Sequence, residues 1–165
     1  MPIDIKILRE GDDAFLRWIA AGVFDNDVCE QRTKNFLRDA NHHLAVAIDN
    51  EIVIGFASAV QYIHPDKPAE LWINEVGVAP THQRRGVGTQ LLNALFEVGR
   101  QQGCVGAWVL TDQHNNPAMR LYASLGGRES NQVMFSFDLT TTSAKPGPPQ
   151  SSMAARFIDS VKLLK

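Results

Sequence analysis

A glycine-rich turn between a strand-like run and a helix-like run limits what this chain can fold into more than any other feature. The turn spans residues 83–89, the apolar run before it covers 71–78, and the helix-like run after it covers 91–102. A glycine-rich turn that opens a helix directs free backbone N–H groups and the positive end of the helix dipole at one point. Two adjacent arginines, Arg84 and Arg85, add positive charge. The segment therefore predicts a site for a phosphate or pyrophosphate.

Two well-known phosphate-binding motifs do not fit this turn. A Walker loop requires lysine after its last glycine, whereas Gly88 is followed by Thr89. A dinucleotide-binding fingerprint requires a third glycine where this chain has Leu91. The remaining pattern is Q-x-x-G-x-G, preceded by a strand and by Ala79-Pro80.

Length and composition indicate one soluble globular domain with a short appendage. The chain has 165 residues, of which 44% are hydrophobic and 21% charged. It contains no membrane-length apolar run and no basic-then-apolar leader, so we expect a cytoplasmic protein without a membrane partner. The cysteines, Cys29 and Cys104, are far apart, which predicts buried free thiols. The histidines show no ligand spacing, and we expect no metal.

The acidic surplus lies before the glycine-rich turn. Residues 1–75 contain 13 acidic and seven basic side chains. Such a region can attract a cationic small molecule, although an unevenly charged solvated surface is the alternative. No basic patch with interleaved aromatic residues is visible, which argues against a nucleic-acid partner.

Hydrophobic periodicity predicts a mixed α/β sandwich over residues 1–139. Strands are predicted at 3–8, 44–49, 52–61, 70–78, 104–110 and 132–139, and helices at 12–21, 27–39, 86–102 and 117–125. Residues 140–165 read as a Pro/Ser-rich linker followed by a short amphipathic helix at 151–165. That helix would dock a partner or exchange between two copies in a homodimer; the alternative is an unimportant or out-of-frame tail.

A second motif, N-x-x-A-x-x-L-Y, runs from Asn115 to Tyr122. Together with the string from 71 to 95, it resembles the GNAT family of N-acetyltransferases. The strand 71–78, the proline-containing loop before it, the turn 82–85 and the ending 133–138 are similar to the smaller aminoglycoside 3-N-acetyltransferases. The resemblance implies the GNAT fold, with a mixed sheet of six to seven strands flanked by about four helices. It also implies transfer of an acetyl group from acetyl-CoA to an amine by direct attack.

The resemblance implies a role for each matching residue. The cosubstrate would contact the backbone of Val76, Gly77 and Val78, the turn residues Gln83, Arg84, Arg85, Gly86, Val87, Gly88 and Thr89, and the helix residues Asn115 and Ala118. The glycine at position 77 would permit close ligand approach, or it would merely fill a tight core. For Asn115, a helix N-cap is the alternative role.

Glu75 and Tyr122 are the predicted catalytic residues. Strand alternation from Leu71 places Leu71, Ile73 and Glu75 on one face unless a bulge intervenes. Glu75 would take a proton from the acceptor ammonium, directly or through water, and Tyr122 would protonate the departing thiolate. The alternatives are a surface glutamate at a strand end and a core tyrosine.

The acceptor is less well determined by the sequence. Asp25, Asp27 and Glu30, with Glu75, would bind a cationic acceptor such as an aminoglycoside at its 3-amino group. Polyamines, other small amines and protein amines are alternatives. A non-catalytic regulatory domain that binds CoA is a remote alternative, disfavoured because Glu75 and Tyr122 are both present.

Overall fold

A computed structural model of the chain describes residues 2–139. The linker and short helix predicted at 140–165 lie outside these residues. The strands are β1 (Asp4–Leu8), β2 (His42–Asp49), β3 (Ile52–His64), β4 (Lys67–Val78) and β5 (Ala107–Val109), and the helices are α1 (Glu30–Arg38), α2 (Val87–Gln101) and α3 (Asn116–Ser124). Short 3-10 helices cover Asp12–Arg17 and Pro80–His82.

The five strands form one mixed sheet in the order β1-β2-β3-β4-β5. Neighbouring strands from β1 to β4 are antiparallel, whereas β5 runs parallel to β4 because α2 connects them. One face of the sheet, which we call the α2 face, packs on buried leucines of α2, including Leu91 and Leu95. The opposite face, the loop face, meets the segment 18–28, where the ring of Phe24 stacks on Phe56 at 3.9 Å. The predicted α/β class is confirmed.

The first two predicted helices are shorter than expected. The 3-10 helix ends at Arg17 because the next residues run extended beside β3. There the N–H of Val53 donates to the Trp18 carbonyl, and the N–H of Ala20 donates to the Val53 carbonyl, both at 2.9 Å. The next helix begins at Glu30, with Cys29 rather than Asp27 at its N-cap position.

The predicted last strand at 132–139 is wrong. Within the described part of the chain this segment has no strand pairing, and β5 is the final strand of the sheet. The side chains of Val133, Phe135, Phe137 and Leu139 are exposed. Alternating apolar residues favour a strand only where a neighbouring backbone completes the ladder, which explains why the pattern misled the prediction. The described sheet therefore has five strands rather than six to seven.

A β-bulge interrupts β4 in front of the predicted catalytic glutamate. Ser58 of β3 pairs with Glu75, but the next residue of β3, Ala59, pairs with Ile73. Asn74 is thus an extra residue in β4 that has no partner in the β3 ladder. A bulge of this kind bends the strand and changes the face to which the following side chains point.

The bulge transfers Glu75 to the loop face of the sheet. Leu71 and Val76 lie close to α2, within 3.2 Å and 4.0 Å of the Cβ positions of Gly99 and Gly88 respectively. Gly77 instead faces the carbonyl of Val23 in the loop segment. Glu75, two residues before Gly77, shares its face. Regular alternation, which would place Glu75 on the face of Leu71, is therefore broken by the bulge that the sequence analysis named as the exception.

Tight packing explains the glycine at position 77. A Cβ atom there would lie 2.2 Å from the Val23 carbonyl oxygen and 2.7 Å from a ring atom of Phe56. We expect Gly77→Ala to lower the free energy of unfolding by roughly 1–3 kcal/mol, because the loop or the ring must move. Urea unfolding measures this. Gly106→Ala is the matched control, since its Cβ would meet nothing within 4 Å; equal losses in the two variants would contradict the packing explanation.

Candidate active site

The glycine-rich turn is held in a defined shape by contacts with β4. The 3-10 helix Pro80–His82 leads into it, and the Gln83 side chain donates to the Val78 carbonyl at 3.1 Å. Arg84 and Gly86 have left-handed backbone conformations, with φ of 58° and 77°. Glycine adopts this region readily, whereas a residue with a side chain does so at a cost.

The turn presents unpaired N–H groups at the start of α2. The N–H of Gln90 donates to the Gly86 carbonyl at 3.1 Å. This is the first hydrogen bond of α2. The N–H groups of the preceding residues, Val87, Gly88 and Thr89, therefore have no partner within the helix and remain available to a ligand. With the positive end of the helix dipole behind them, they suit an anion.

A cleft of about 540 Å³ joins this turn to α3. Seven of the predicted cosubstrate residues line it: Val78, Gln83, Arg84, Gly86, Val87, Gly88 and Thr89. Arg85 is exposed and does not line this cleft. Asn115 accepts the Ala118 N–H at 3.3 Å as the N-cap of α3, and Ala118 is buried. These geometries favour the capping role of Asn115 over a direct ligand contact.

The structure adds four residues to this cleft that the sequence reasoning did not assign to a site: His82, Pro117, Arg120 and Leu121. Arg120 lines it from α3, opposite the turn, and contributes a further positive charge. Arg120 lies three residues after Pro117, which also lines the cleft. Residues three apart are neighbours on a helix surface, and this spacing could have identified Arg120. His82 lines the cleft as well, with Nε2 3.2 Å from Oδ2 of Asp49 in the β2–β3 hairpin. This contact ties the start of the turn to the rest of the sheet.

The second half of β4 has an open edge next to this cleft. β5 pairs only with residues Leu71 to Ile73 of β4, and among residues 2–139 no strand pairs with this edge beyond them. Val76, Gly77 and Val78 therefore lie in a segment that is bonded to β3 on one side only. An extended ligand can bind to such an edge as an additional strand does.

Glu75 is half-buried. Its carboxyl group is protonated more readily in this environment than it would be in water. Burial raises the pKa of Glu75 to about 7, and the negative charge of Asp25 contributes to the increase. A carboxylate with this pKa is a stronger base than an ordinary glutamate and is still partly ionised at neutral pH. Glu75 therefore has the properties of a general base.

Tyr122 lies in a second cavity, of about 330 Å³, on the other side of α3 from the glycine-rich turn. This cavity also contacts Leu71 and Ile73 of β4 and the whole of β5. Burial raises the pKa of Tyr122 to about 12, so the phenol stays protonated at neutral pH and can donate a proton. Leu121, the preceding residue, lines the first cleft, so α3 borders both spaces.

The three acidic residues predicted to bind the acceptor together with Glu75 differ in their surroundings. Asp25 belongs to the loop segment and is close enough to affect the pKa of Glu75. Glu30 forms an ion pair with Lys34 one turn along α1, which lowers the pKa of Glu30. Asp27 is exposed between them. Asp25 is thus the one that the structure brings to Glu75.

Two searches of residues 2–139 bear on other kinds of site. No group of three or more His, Cys, Asp and Glu side chains in this range is arranged to hold a metal ion. No helix in the same range is long and apolar enough to cross a membrane. Both cysteines are free; Cys104 is half-buried, but Cys29 is exposed, so the prediction that both are buried is wrong.

Comparison with known proteins identifies the class. Residues 12–126 match the model of the acetyltransferase (GNAT) family, and the chain belongs to this family. It is therefore an N-acetyltransferase. Among curated proteins it is 29% identical over 99 residues to an aminoglycoside N(6')-acetyltransferase type 1 from Salmonella typhimurium, a match that covers 56% of this chain and 68% of the relative.

Solved structures of acetyltransferases share the fold. An aminoglycoside acetyltransferase from an uncultured soil metagenomic sample, in complex with sisomicin, has a TM-score of 0.73 at 18% identity, over 83% of this chain and 96% of that chain. The enzyme AAC(6')-Iy, in complex with a bisubstrate analogue of CoA and acetylneamine, has a TM-score of 0.70 at 21% identity, over 84% and 99%. The GNAT fold is confirmed.

The pKa of Glu75 predicts how activity depends on pH. A base must be deprotonated to act, so kcat/KM should rise with pH to a plateau, with a midpoint near the Glu75 pKa of about 7. Asp25→Asn should move this midpoint to lower pH, because the removed negative charge had raised the pKa. Initial rates from pH 5.5 to 8.5 with one amine acceptor measure both. An identical midpoint in the variant would contradict the coupling.

A side chain at position 88 should obstruct the cleft. A Cβ on Gly88 would lie 3.1 Å from Cδ2 of Leu121, so the branched side chain in Gly88→Val must push against α3 or into the cleft. We expect the dissociation constant for CoA to increase by roughly ten-fold, about 1.4 kcal/mol. Isothermal titration calorimetry measures it, with Gly106→Ala as the control. Unchanged affinity would remove the turn from the CoA site.

Proposed function

We propose that this chain transfers the acetyl group of acetyl-CoA to a primary amine of a cationic small molecule, with an aminoglycoside as the acceptor. The observation that carries the proposal is Glu75, a half-buried carboxylate with a pKa of about 7 that lies beside Asp25 on the loop face. Acetyl transfer from a large anionic donor to an amine requires a base and an anion-binding site. Here the base lies on the loop face, and the anion-binding turn is joined to the α2 face through α2.

The described residues fit acetyl-CoA at the donor end. The N–H groups at the start of α2, with Arg84 and Arg120, suit the pyrophosphate. The open edge of β4 at Val76–Val78 suits the amide-containing arm, whose N–H and C=O groups can pair with a strand. The acetyl group would then lie near the bulge at Asn74, between the two faces of the sheet.

The residues support direct attack of the amine on the thioester. Glu75 takes a proton from the acceptor ammonium, and the freed amine nitrogen bonds to the acetyl carbonyl carbon. The carbon–sulfur bond breaks, and the sulfur takes a proton from Tyr122. The new amide nitrogen gives its second proton to solvent, and the Tyr122 phenolate takes one back from solvent, which leaves the acetylated amine and CoA as products. An acetyl-cysteine intermediate is disfavoured, since burial raises the pKa of Cys104 and Cys29, the N-cap of α1, lines neither the cleft at the turn nor the cavity of Tyr122.

Charge and relatedness both support an aminoglycoside as acceptor. Asp25 and Glu75 place two carboxyl groups on the side of the sheet that is open to the loop segment, and amine-rich sugars are polycations. The Salmonella relative is named for acetylation at the 6'-nitrogen, whereas the sequence resemblance implies the 3-amino group. We propose the 3-amino group, with the 6'-amino group as the competing position, and NMR of the product distinguishes them.

The decisive experiment measures CoA release from acetyl-CoA with sisomicin, spermidine and a short peptide with a free N-terminus. We expect turnover with sisomicin, and a decrease in kcat of at least roughly 100-fold in Glu75→Gln with unchanged affinity for acetyl-CoA. Glu70→Gln is the matched control, because Glu70 is a half-buried glutamate of the same strand on the far side of the bulge.

Two results would overturn parts of the proposal. Full turnover in Glu75→Gln would exclude Glu75 as the base. Turnover of the peptide or spermidine, but not of sisomicin, would exclude the aminoglycoside as acceptor and leave the acetyltransferase chemistry intact.

A further inference from the structure

Ser58 is the one polar side chain in the buried stretch of β3. Residues 53–59 are all buried, and the other six are valine, isoleucine, glycine, phenylalanine and two alanines. Ser58 itself keeps 9% of its surface exposed. A serine costs more to bury than an alanine of nearly the same size unless its hydroxyl group is hydrogen-bonded. The partner of this hydroxyl group therefore decides why a serine is present.

Among residues 2–139, the Ser58 hydroxyl group has no hydrogen-bond partner. Its oxygen is not fully enclosed either, because the enclosed side-chain atoms without a partner in this range belong to His42, His43 and Thr111. Most polar side chains in protein interiors bond to another part of the protein or to a bound molecule. The Ser58 hydroxyl group is therefore accessible to a bound molecule and is not used by the described fold.

This hydroxyl group lies beside Glu75. Ser58 and Glu75 are direct partners in the antiparallel β3–β4 ladder, so their side chains lie on the same face of the sheet. On its other side Ser58 pairs with Leu44 of β2, whose side chain has no polar atom. The Cβ atoms of directly opposed residues are about 4.5–5.5 Å apart, and the two side chains form no hydrogen bond with each other. One small polar group can therefore bond to both.

We infer that Ser58 is a further acceptor-binding residue, whose hydroxyl oxygen accepts a hydrogen bond from the amine that Glu75 deprotonates. The inference rests on the proposed function. An ammonium group has three N–H donors. After Glu75 takes one proton, the nitrogen keeps two N–H groups and must direct its lone pair at the acetyl carbon. A hydrogen bond to Ser58 fixes the rotation of the amine about its C–N bond, and such orientation lowers the barrier to attack.

Charge favours an amine as the group between these two side chains. The ionisable groups that affect this position, Glu75 and Asp25, are both acidic, so they attract a cation and repel an anion. A bridging water molecule is the alternative occupant. Water would hydrogen-bond to Glu75 in the free enzyme and contribute to its pKa, whereas an acceptor amine is absent from the free enzyme and cannot. The two occupants therefore differ in their effect on the pH profile.

The test compares Ser58→Ala and Ser58→Cys, which remove the hydroxyl group, with Ser58→Thr, which keeps it. The matched control is Thr33→Ala. Thr33 also keeps 9% of its surface exposed, but its hydroxyl group donates to the Cys29 carbonyl at 3.0 Å, at the start of α1. Initial rates with sisomicin and acetyl-CoA are measured from pH 5.5 to 8.5, and thermal unfolding is measured without ligands.

In Ser58→Ala and Ser58→Cys, we expect the plateau of kcat/KM for sisomicin to decrease by roughly 10- to 100-fold, as for the loss of a hydrogen bond to a charged group. The KM for acetyl-CoA and the midpoint of the pH profile should stay unchanged, because kcat/KM reports the ionisation of the free enzyme. Ser58→Thr should retain most of the activity.

Stability and activity should change in opposite ways in the two alanine variants. Ser58→Ala should unfold at the wild-type temperature or above, because the lost hydroxyl group has no partner in the described protein. Thr33→Ala loses a hydrogen bond within the fold, so it should unfold at a lower temperature and keep wild-type kinetics.

Three results would overturn the inference. The first is wild-type kinetics of Ser58→Ala with sisomicin. The second is a lower unfolding temperature of Ser58→Ala, which would show that the hydroxyl group supports the fold. The third is a shifted midpoint with an unchanged plateau, which would show that Ser58 acts on Glu75 through water and not on the acceptor. Failure of the proposed function looks different, because wild type itself would then not acetylate sisomicin.

Discussion

The extra residue at Asn74 is the constraint on which the rest of the site depends. Side chains alternate along a strand, so one additional residue reverses the faces of everything that follows it. Here the reversal lets Val76 and Val78 continue the core against α2 while Glu75 and Gly77 turn towards the loop segment. A regular strand would place the glutamate against the leucines of α2, where a carboxylate is expensive to bury. The core residues and the proposed base can therefore coexist on one strand only because of the bulge.

In the proposed reaction, different parts of the chain bind the donor and the acceptor. The donor end is built by the local segment from β4 to α3, in which the turn, the start of α2 and Arg120 surround one cleft. The acceptor end is built from distant residues, since Asp25 precedes Glu75 by 50 positions. The Asp49–His82 contact connects the donor turn to the β2–β3 hairpin. We propose that the anionic donor and the cationic acceptor approach from different faces of the sheet.

The cleft at the glycine-rich turn was largely predictable from the sequence, and the position of Glu75 was not. Glycine spacing, a helix start and an adjacent strand are local signals, so the turn at 83–89 was found with most of its lining residues. The bulge was not predictable, because Asn74 is marked as extra only by its missing partner in β3. The early end of the 3-10 helix at Asp12–Arg17 was not predictable for the same reason. Backbone pairing of residues 18–20 with Val53 ends this helix. The opposite situation occurs at residues 132–139. Their alternating pattern is typical of a strand, but they have no ladder partner in the described part of the chain.

The short pairing of β5 makes the sheet incomplete without a ligand. β4 is bonded on both edges only where it meets β5, up to Ile73, and beyond that point its outer backbone groups have no strand partner among residues 2–139. We propose that acetyl-CoA forms the hydrogen bonds that a longer β5 would have made. Cosubstrate binding and folding are then thermodynamically linked, since a ligand that binds only the folded chain shifts the unfolding equilibrium by mass action. In this view the melting temperature of the protein also indicates what fraction of it has cosubstrate bound.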